Sequence, residues 1–317
     1  MPQPLLETVG LKKYFKTSHG YLHAVDDISI KIERGRTLGV VGESGCGKST
    51  LGRTILRLTD ATAGSVFFEG KNILRYGRAE IKTMYKEMQL IFQDPYSSLN
   101  PRKSVSDIIR EPIVINGLIH GRKAIDERVR ELLNIVGLAP RMMNAYPHEL
   151  DGGRRQRVGI ARALSLNPKM IVCDEPVSAL DVSIQAQILN LLMDLQEEMG
   201  LSYMFITHDL SVVKHISNDI AVMYLGECVE LAPSDELFAN PLHPYTRALL
   251  NAIPVPNVDM MRKRKPIIRG EVSSPIDPKP GCRFAARCDD TCEKCMETVH
   301  LADHGAQHFV ACKMYND

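Results

Sequence analysis

The run GESGCGKST, from Gly42 to Thr50, places glycine at positions 42, 45 and 47 and follows them with Lys48, Ser49 and Thr50. Glycines at that spacing let the backbone turn tightly enough for successive N–H groups to converge on phosphate oxygens. The atoms that would line the phosphates come from Gly42, Ser44, Gly45, Cys46, Gly47, Lys48, Ser49 and Thr50. Lys48 is placed to reach β- and γ-phosphates, the Ser49 hydroxyl to meet Mg²⁺, and the dipole of a following helix adds positive potential. A second run, MIVCDEP from Met170 to Pro176, ends an apolar stretch on two adjacent acids. Asp174 suits the Mg²⁺ shell, and Glu175 suits polarisation of a water attacking a γ-phosphate. Two acids at the end of a buried strand are costly to desolvate without a task or a partner. The chemistry expected of both runs together is binding and hydrolysis of ATP.

The elements around these runs agree with that expectation. Leu38 to Val41 is an apolar run ending in Gly42 and reads as a buried parallel strand. Lys48 to Leu58 reads as a helix, with Leu51, Ile55 and Leu58 on one face. From Gln93 to Pro101 (QDPYSSLNP) the chain turns to loop chemistry. Helices are expected from about Asp126 to Val136 and from near Gly152 to about Ser165. Met170 to Cys173 is a second buried strand, and Leu201 to Thr207 a third that leads into His208. Between them Ser183 to Met199 is a helix whose stripe is Ile184, Ile188, Leu191, Leu192 and Leu195. Alternating strands and helices predict an α/β fold with a mainly parallel sheet and a helical insertion over about residues 94–165. After about Asn240 prolines recur at 241, 244, 254, 256, 266, 275, 278 and 280, with a basic run from Arg262 to Lys265. That composition predicts an extended connector and not a continuation of the sheet. The domains expected are therefore 1–239 and 240–317.

Lys+Arg 39 against Asp+Glu 38 gives a nearly neutral chain, which argues against nucleic acid as a partner. Met1 to Phe15 mixes apolar, acidic and basic residues and does not read as a signal peptide. No apolar stretch approaches the ~20 residues of a membrane-spanning helix.

LDGGRRQR, Leu150 to Arg157, lies shortly before Asp174 and narrows the class. The chain here resembles the ATP-binding subunits of ABC transporters, in which an LSGGQ-type signature precedes the acidic strand. The resemblance continues in order along roughly the first 235 residues. It implies that Gln93 links Mg²⁺ and attacking water to a transmembrane partner. By the same likeness Ser178 to Asp181 form the D-loop, and His208 is the switch histidine at the γ-phosphate. Tyr14 resembles the aromatic that stacks on adenine, with Phe15 as a competing candidate. The fold implied is an ABC-type nucleotide-binding domain with a helical subdomain and a C-terminal Cys-rich extension. NPLHPYTRALLNAIP, Asn240 to Pro254, together with QDPYSSLNPR and DEPVSALDVSIQAQ, resembles importers of dipeptides, oligopeptides and sometimes nickel. That subgroup implies a second, non-identical ATPase, two transmembrane permeases and an extracytoplasmic solute-binding protein, with this chain peripheral on the cytoplasmic face.

The signature departs from the family pattern: Asp151 stands where Ser is usual and Arg154 where Gln is usual. In the family, Asp151, Gly152 and Gly153 would face ATP bound to the opposite subunit. An ionised Asp151 would repel the γ-phosphate there, and the site closed by this signature would hydrolyse weakly. Alternatively, Asp151 turns away and caps the following helix.

Of eight cysteines, Cys46, Cys173 and Cys228 read as small core residues, while Cys282, Cys288, Cys292, Cys295 and Cys312 crowd into the tail. Such a cluster suggests a metal site before disulfides. Cys282, Cys288, Cys295 and Cys312 resemble the four positions that bind an iron–sulfur cluster in some members of the peptide-importer group. Zinc is the competing group, since four thiolates also suit its tetrahedral site, and free thiols are the third reading. A soluble ABC-type ATPase acting on nucleic acid or ribosomes, and a redox-sensing regulator, are the rival functions. The single ATPase unit and neutral charge weigh against the first, the intact Glu175 and His208 against the second.

Overall fold

The computed structural model describes residues 3–94, 96–252 and 274–315. The chain forms two compact units, one made of the residues up to Glu33, Thr37–Leu74 and Ile206 onward, the other of Arg34–Arg36 and Arg75–Phe205.

In the first unit, Leu6–Thr17 pairs antiparallel with Gly20–Ile28, Lys31–Ile32 and Ala63–Phe68, and Lys71–Asn72 closes the far edge. Leu6, Thr8 and Leu11 face the interior, and the register shifts between Val9 and Lys12. A second sheet is built on Thr37–Val41, buried at every residue. Asp219–Tyr224 runs parallel to that strand, and Glu227–Pro233 lies antiparallel beyond it. Five consecutive buried residues, with Thr37 the one polar side chain among them, are what a strand covered on both sides requires.

The second unit holds Met88–Ile91 parallel to Met170–Asp174, with Ser202–Ile206 on the other side of the latter. Its helices are Arg78–Glu87, Val105–Asn116, Arg122–Ile135, Gly152–Leu164 and Val182–Met199. Val129, Leu132 and Leu133 are buried as their spacing predicts. Ile188, Leu192 and Leu195 are buried too, whereas Ile184 and Leu191 are only half-buried.

Several expectations are revised. One sheet is wholly antiparallel and the other mixes parallel and antiparallel pairs. The helix after the phosphate loop stops at Ile55, and Leu58 is 52% exposed, because Arg57 adopts a left-handed φ of 53° that ends the helix. Val105–Asn116 is an additional helix, with Pro112 inside it and Ser104 accepting the Asp107 N–H as its cap. The tail does rejoin a sheet, through the pairing of Phe309–Val310 with Glu230 and Leu231. The connector also contains a helix, Pro244–Ala252. Pro254, Pro256, Pro266 and the basic run Arg262 to Lys265 lie outside the described residues. Among the described residues no helix is long and apolar enough to cross a membrane.

Candidate nucleotide site

The phosphate loop leaves the end of Thr37–Val41 and enters the helix Lys48–Ile55. Gly47 has φ 105° and opens that helix, and a Cβ there would lie 1.9 Å from the Ala24 carbonyl oxygen. At Gly42 a Cβ would lie 2.1 Å from the Met223 carbonyl oxygen. Both positions therefore admit only glycine, which lets the backbone take this tight turn. Lys48 is buried, and its ammonium donates to the carbonyl oxygens of Gly42 at 2.8 Å and Glu43 at 2.9 Å. The cation is thus held at the mouth of the loop. Cys46 packs beneath it, and burial pushes its thiol up.

His208 is tied to the same strand end. The Thr207 amide donates to Val40 O at 3.1 Å, so His208 begins its turn beside the exit of the strand that feeds Gly42. Asp209 then caps Leu210–Ile216 by accepting from the Ser211 amide at 2.8 Å. His208 is exposed at this point.

Tyr14 is half-buried, and its ring stacks on His23 with centroids 3.8 Å apart at 14°. Its hydroxyl donates to Asp26, which also receives His23 Nδ1 at 2.9 Å and the Arg283 guanidinium. Burial would raise the Asp26 carboxyl, but the hydrogen bonds from Tyr14 and His23 and the Arg283 charge hold it below its ordinary value. Burial and the Asp26 hydrogen bond push the Tyr14 hydroxyl well up, so it remains a donor. Phe15 is 37% exposed with Lys13 Nζ 4.7 Å from its ring centroid. Tyr14 is the ring fixed in place.

In the second unit, Met170–Asp174 delivers Asp174 buried at 2% exposure. Glu175 follows at φ 47°, a strained value for a side-chain-bearing residue. The pairing of Ile91 with Cys173 sets two chain exits side by side. Accordingly Gln93 Nε2 donates to Glu175 Oε2 at 2.8 Å. The segment after Gln93 is held from the helix Gly152–Leu164. The Arg155 guanidinium lies 3.6 Å from the centroid of the Tyr96 ring, and Arg162 Nη1 donates to Ser98 O at 2.6 Å.

At the start of that helix Asp151 accepts the Arg154 amide at 2.8 Å, and Arg154 Nε lies 3.3 Å from its other oxygen. Asp151 therefore caps this helix. A Cβ on Gly153 would meet Ile184 Cγ2 at 2.7 Å, so this turn packs closely on the helix Val182–Met199. Asp181 caps that helix by accepting from the Ile184 amide at 3.0 Å.

In the tail, Cys282, Cys288, Cys295 and Cys312 line one pocket together with His243 and Phe284. Cys292 lies outside that lining, its sulfur 3.5 Å from that of Cys295. Burial pushes the Cys282 thiol up to about 12 and raises those of Cys288 and Cys312 as well. Among the described residues no group of three or more His, Cys, Asp or Glu side chains is set to hold a metal ion. Cys46, Cys173 and Cys228 are buried as core residues.

Four side chains at the site were not singled out from sequence. Glu43, second in the phosphate loop, has its amide received by the Tyr245 hydroxyl at 2.9 Å. Its carboxylate is gripped by Arg287 at 2.9 and 3.1 Å. Arg283 contacts Asp26, the Leu225 carbonyl and Glu227. Tyr245 belongs to the quoted NPLHPYTRALL run, and the arginines fall between two of the quoted cysteines. No local pattern pairs these arginines with Glu43 or Asp26, which only the fold brings near them.

The glycine-lined phosphate loop between strand and helix, the two acids at the end of Met170–Asp174 and the LDGGRRQR run that precedes them are the parts of an ATPase of the ABC class. The sequence profile of the ABC transporter family matches residues 25–178, and that of the oligopeptide/dipeptide transporter C-terminal region matches residues 229–295. The oligopeptide transport ATP-binding protein OppF of Salmonella typhimurium is 49% identical, covering 97% of this chain and 95% of its own. The putative oligopeptide transport ATP-binding protein YkfD of Bacillus subtilis is 50% identical, covering 99% and 96%. Among solved structures, the ATP-binding cassette MJ0796, a dimer bound to ADP and Pi, matches with TM-score 0.67 and 27% identity over 72% of this chain and 98% of its own. The chain belongs to the ATP-binding proteins of ABC transporters, in the oligopeptide/dipeptide branch.

Proposed function

We propose that this chain is the ATP-hydrolysing motor subunit of an importer of dipeptides or oligopeptides. The observation behind this reading is that one chain joins a complete phosphate loop to the C-terminal region of oligopeptide/dipeptide transporters. Lys48 and the loop amides would hold the β- and γ-phosphates, with Tyr14 under the adenine. The loop fits that substrate, since Gly42 and Gly47 pack so closely on the Met223 and Ala24 carbonyls that only glycine lets the backbone make this turn. Ser49, Gln93 and Asp174 suit Mg²⁺, a hard cation that takes oxygen ligands and neutralises phosphate charge. Glu175, oriented by Gln93, is the base for the attacking water, and His208 addresses the γ-phosphate.

Partners follow from the same reading: a second, non-identical ATPase, two permeases and an extracytoplasmic binding protein, with this chain peripheral on the cytoplasmic face of the membrane. Hydrolysis at the partner's signature would be the stronger, because Asp151 places a carboxylate where a hydroxyl is usual. The Arg155–Tyr96 and Arg162–Ser98 contacts give the Gln93 segment a firm attachment through which closure would reach a permease. Nickel or another small solute is the second reading for the cargo.

Cys282, Cys288, Cys295 and Cys312 are proposed to hold a four-iron cluster, with zinc as the alternative. Their convergence on one pocket supports a shared ligand, and its positive charge would offset the raised thiol pKa values. Iron, zinc and sulfide analysis with visible absorption, on protein purified without air, separates the two; colourless and metal-free protein discards both. The transport reading is tested by gentle detergent pull-down of the tagged chain from host membranes. Two permeases and a second ATPase are the expected catch. Ribosomal or DNA-repair proteins without a permease would overturn it.

A further inference from the structure

Glu43 is held by all of its polar groups. Its carbonyl oxygen accepts from the Lys48 ammonium at 2.9 Å, and its amide donates to Tyr245 Oη at 2.9 Å. Its carboxylate takes the two-pronged grip of Arg287, whose Nη1 also lies 3.3 Å from Tyr224 Oη. The residue that holds the phosphate-binding lysine is thus itself held from the C-terminal region. Arg287 is 8% exposed in its side chain and Glu43 23%, so solvent screens this pair little. A planar fork on a carboxylate fixes direction as well as distance.

Arg287 also sits in a defined place. It ends the single helical turn Ala285–Arg287, and Cys288 follows it. The turn is anchored by the Cys282 amide on Cys295 O at 2.8 Å and the Ala285 amide on Cys282 O at 3.0 Å. Arg283, two residues before the turn, is 6% exposed and bonds to Asp26, the partner of Tyr14 and His23. One short turn bounded by two cysteines therefore touches the phosphate side and the ring side of the same unit.

We propose that Arg287 is a positioning residue for ATP, acting through Glu43 on Lys48, and that the Cys282–Cys288 turn is a control point for nucleotide affinity. The inference rests on the ATP-binding reading but not on which group, if any, the cysteines hold. Any change that displaces the turn withdraws the guanidinium, leaves a carboxylate beside the phosphate loop, and frees the Glu43 carbonyl to shift. Each of these weakens the phosphate cradle, while Glu175 and Gln93 are untouched.

The test is titration of the full chain with a fluorescent ATP analogue, beside steady-state ATPase kinetics. A wild-type chain that binds no nucleotide would sink the ATPase reading; the inference is judged only on a chain that binds. Arg287→Ala is expected to raise Kd and KM for ATP about tenfold, the loss of a charge-assisted pair, with kcat within about twofold. Arg287→Lys should fall between, because it keeps the charge and loses the fork. Glu43→Gln should reproduce the Kd loss, and the double variant should be no worse than either single one. Cys288→Ser should weaken ATP in the wild-type background and have no further effect beside Arg287→Ala. If Arg287→Ala does not fold, Arg287→Lys and Tyr245→Phe supply the same reading. Unchanged Kd in folded Arg287 variants, additive losses in the double variant, or an undiminished Cys288→Ser effect beside Arg287→Ala would overturn the proposal.

Discussion

Replacing Glu230 should undock the tail. The carboxylate is wholly buried on the strand Glu227–Pro233 and receives three donors. Oε1 accepts from the Leu242 amide and from His308 Nε2, both at 2.7 Å, and Oε2 accepts from the His243 amide at 3.0 Å. Two of these donors belong to the start of the C-terminal segment and one to its end, so a single side chain joins both to the sheet. Glu230→Ala removes the acceptor from three buried donors at once. Each stranded donor costs about 1–3 kcal/mol, partly relieved by water entering the gap, so a net loss of about 3–5 kcal/mol is expected. That is a large share of the ~5–15 kcal/mol by which domains are stable. Glu230→Gln keeps one oxygen but turns an NH₂ toward a donor, for about 2 kcal/mol. His308→Ala strands one prong only and should cost the least of the three. Urea unfolding measures the totals, and limited proteolysis measures where the loss falls. Cleavage should move to the tail, where Phe309–Val310 pairs with this strand and Cys312 follows two residues later. A Glu230→Ala chain within about 1 kcal/mol of wild type, with a protected tail, would refute the account of that carboxylate as the fastening point.

Three other expectations are independent of it. Asp151→Ala should cost about 1 kcal/mol through the lost cap and Asp151→Ser a few tenths, the exposed Arg154 pair adding little. If Asp151 also repels phosphate, Asp151→Ser raises turnover of the assembled transporter, and unchanged turnover refutes repulsion. Asp26 has a folded-state pKa below its unfolded value of 3.8, so its stabilisation is complete above that value and is lost as pH falls through the lowered one. An acid-unfolding series should therefore show Asp26→Asn less stable at neutral pH and converging on wild type below pH about 3.8; parallel curves would refute the assignment. Glu175→Gln should lower ATP turnover about 10²–10⁴-fold with nucleotide binding retained, since the amide can still accept from Gln93 but cannot take a proton. Near-normal turnover would remove Glu175 as the base.

What could be read from the sequence was what repeats a local physical rule. A glycine turn between an apolar run and an amphipathic stretch has few alternative folds, and Thr37–Val41, the loop and Lys48–Ile55 fell where the residues said. Met170–Asp174 and Val182–Met199 were legible for the same reason. Val105–Asn116 was not, because Pro112 sits in its interior and reads as a breaker. In the structure the chain continues through it, with Val105, Ile108, Ile109 and Ile113 buried on one face. Leu58 shows the converse failure. It extends the apolar spacing of Leu51 and Ile55, yet the left-handed turn at Arg57 removes it from the helix. Phe309–Val310 has no periodicity to read, being two residues placed by a partner strand more than seventy residues earlier.

The tail is where reading by residue type misdirected attention most usefully. Five cysteines in so short a span suggest a ligand, and the four that resemble ligands do share a pocket. The contacts that reach the phosphate loop, however, come from Arg287 between them and from Tyr245 upstream, while Arg283 reaches Asp26. An arginine in a loop is ordinarily solvated, and nothing in its neighbours announces a carboxylate partner more than two hundred residues away. Only the fold pairs Arg287 with Glu43. Once it does, the C-terminal region is no longer an appendage to the ATPase, because the Lys48 ammonium donates to the carbonyl of Glu43, a residue itself held by Arg287 and Tyr245. Variation in the tail should then be read first as variation in nucleotide affinity, and changes in cargo should be sought elsewhere.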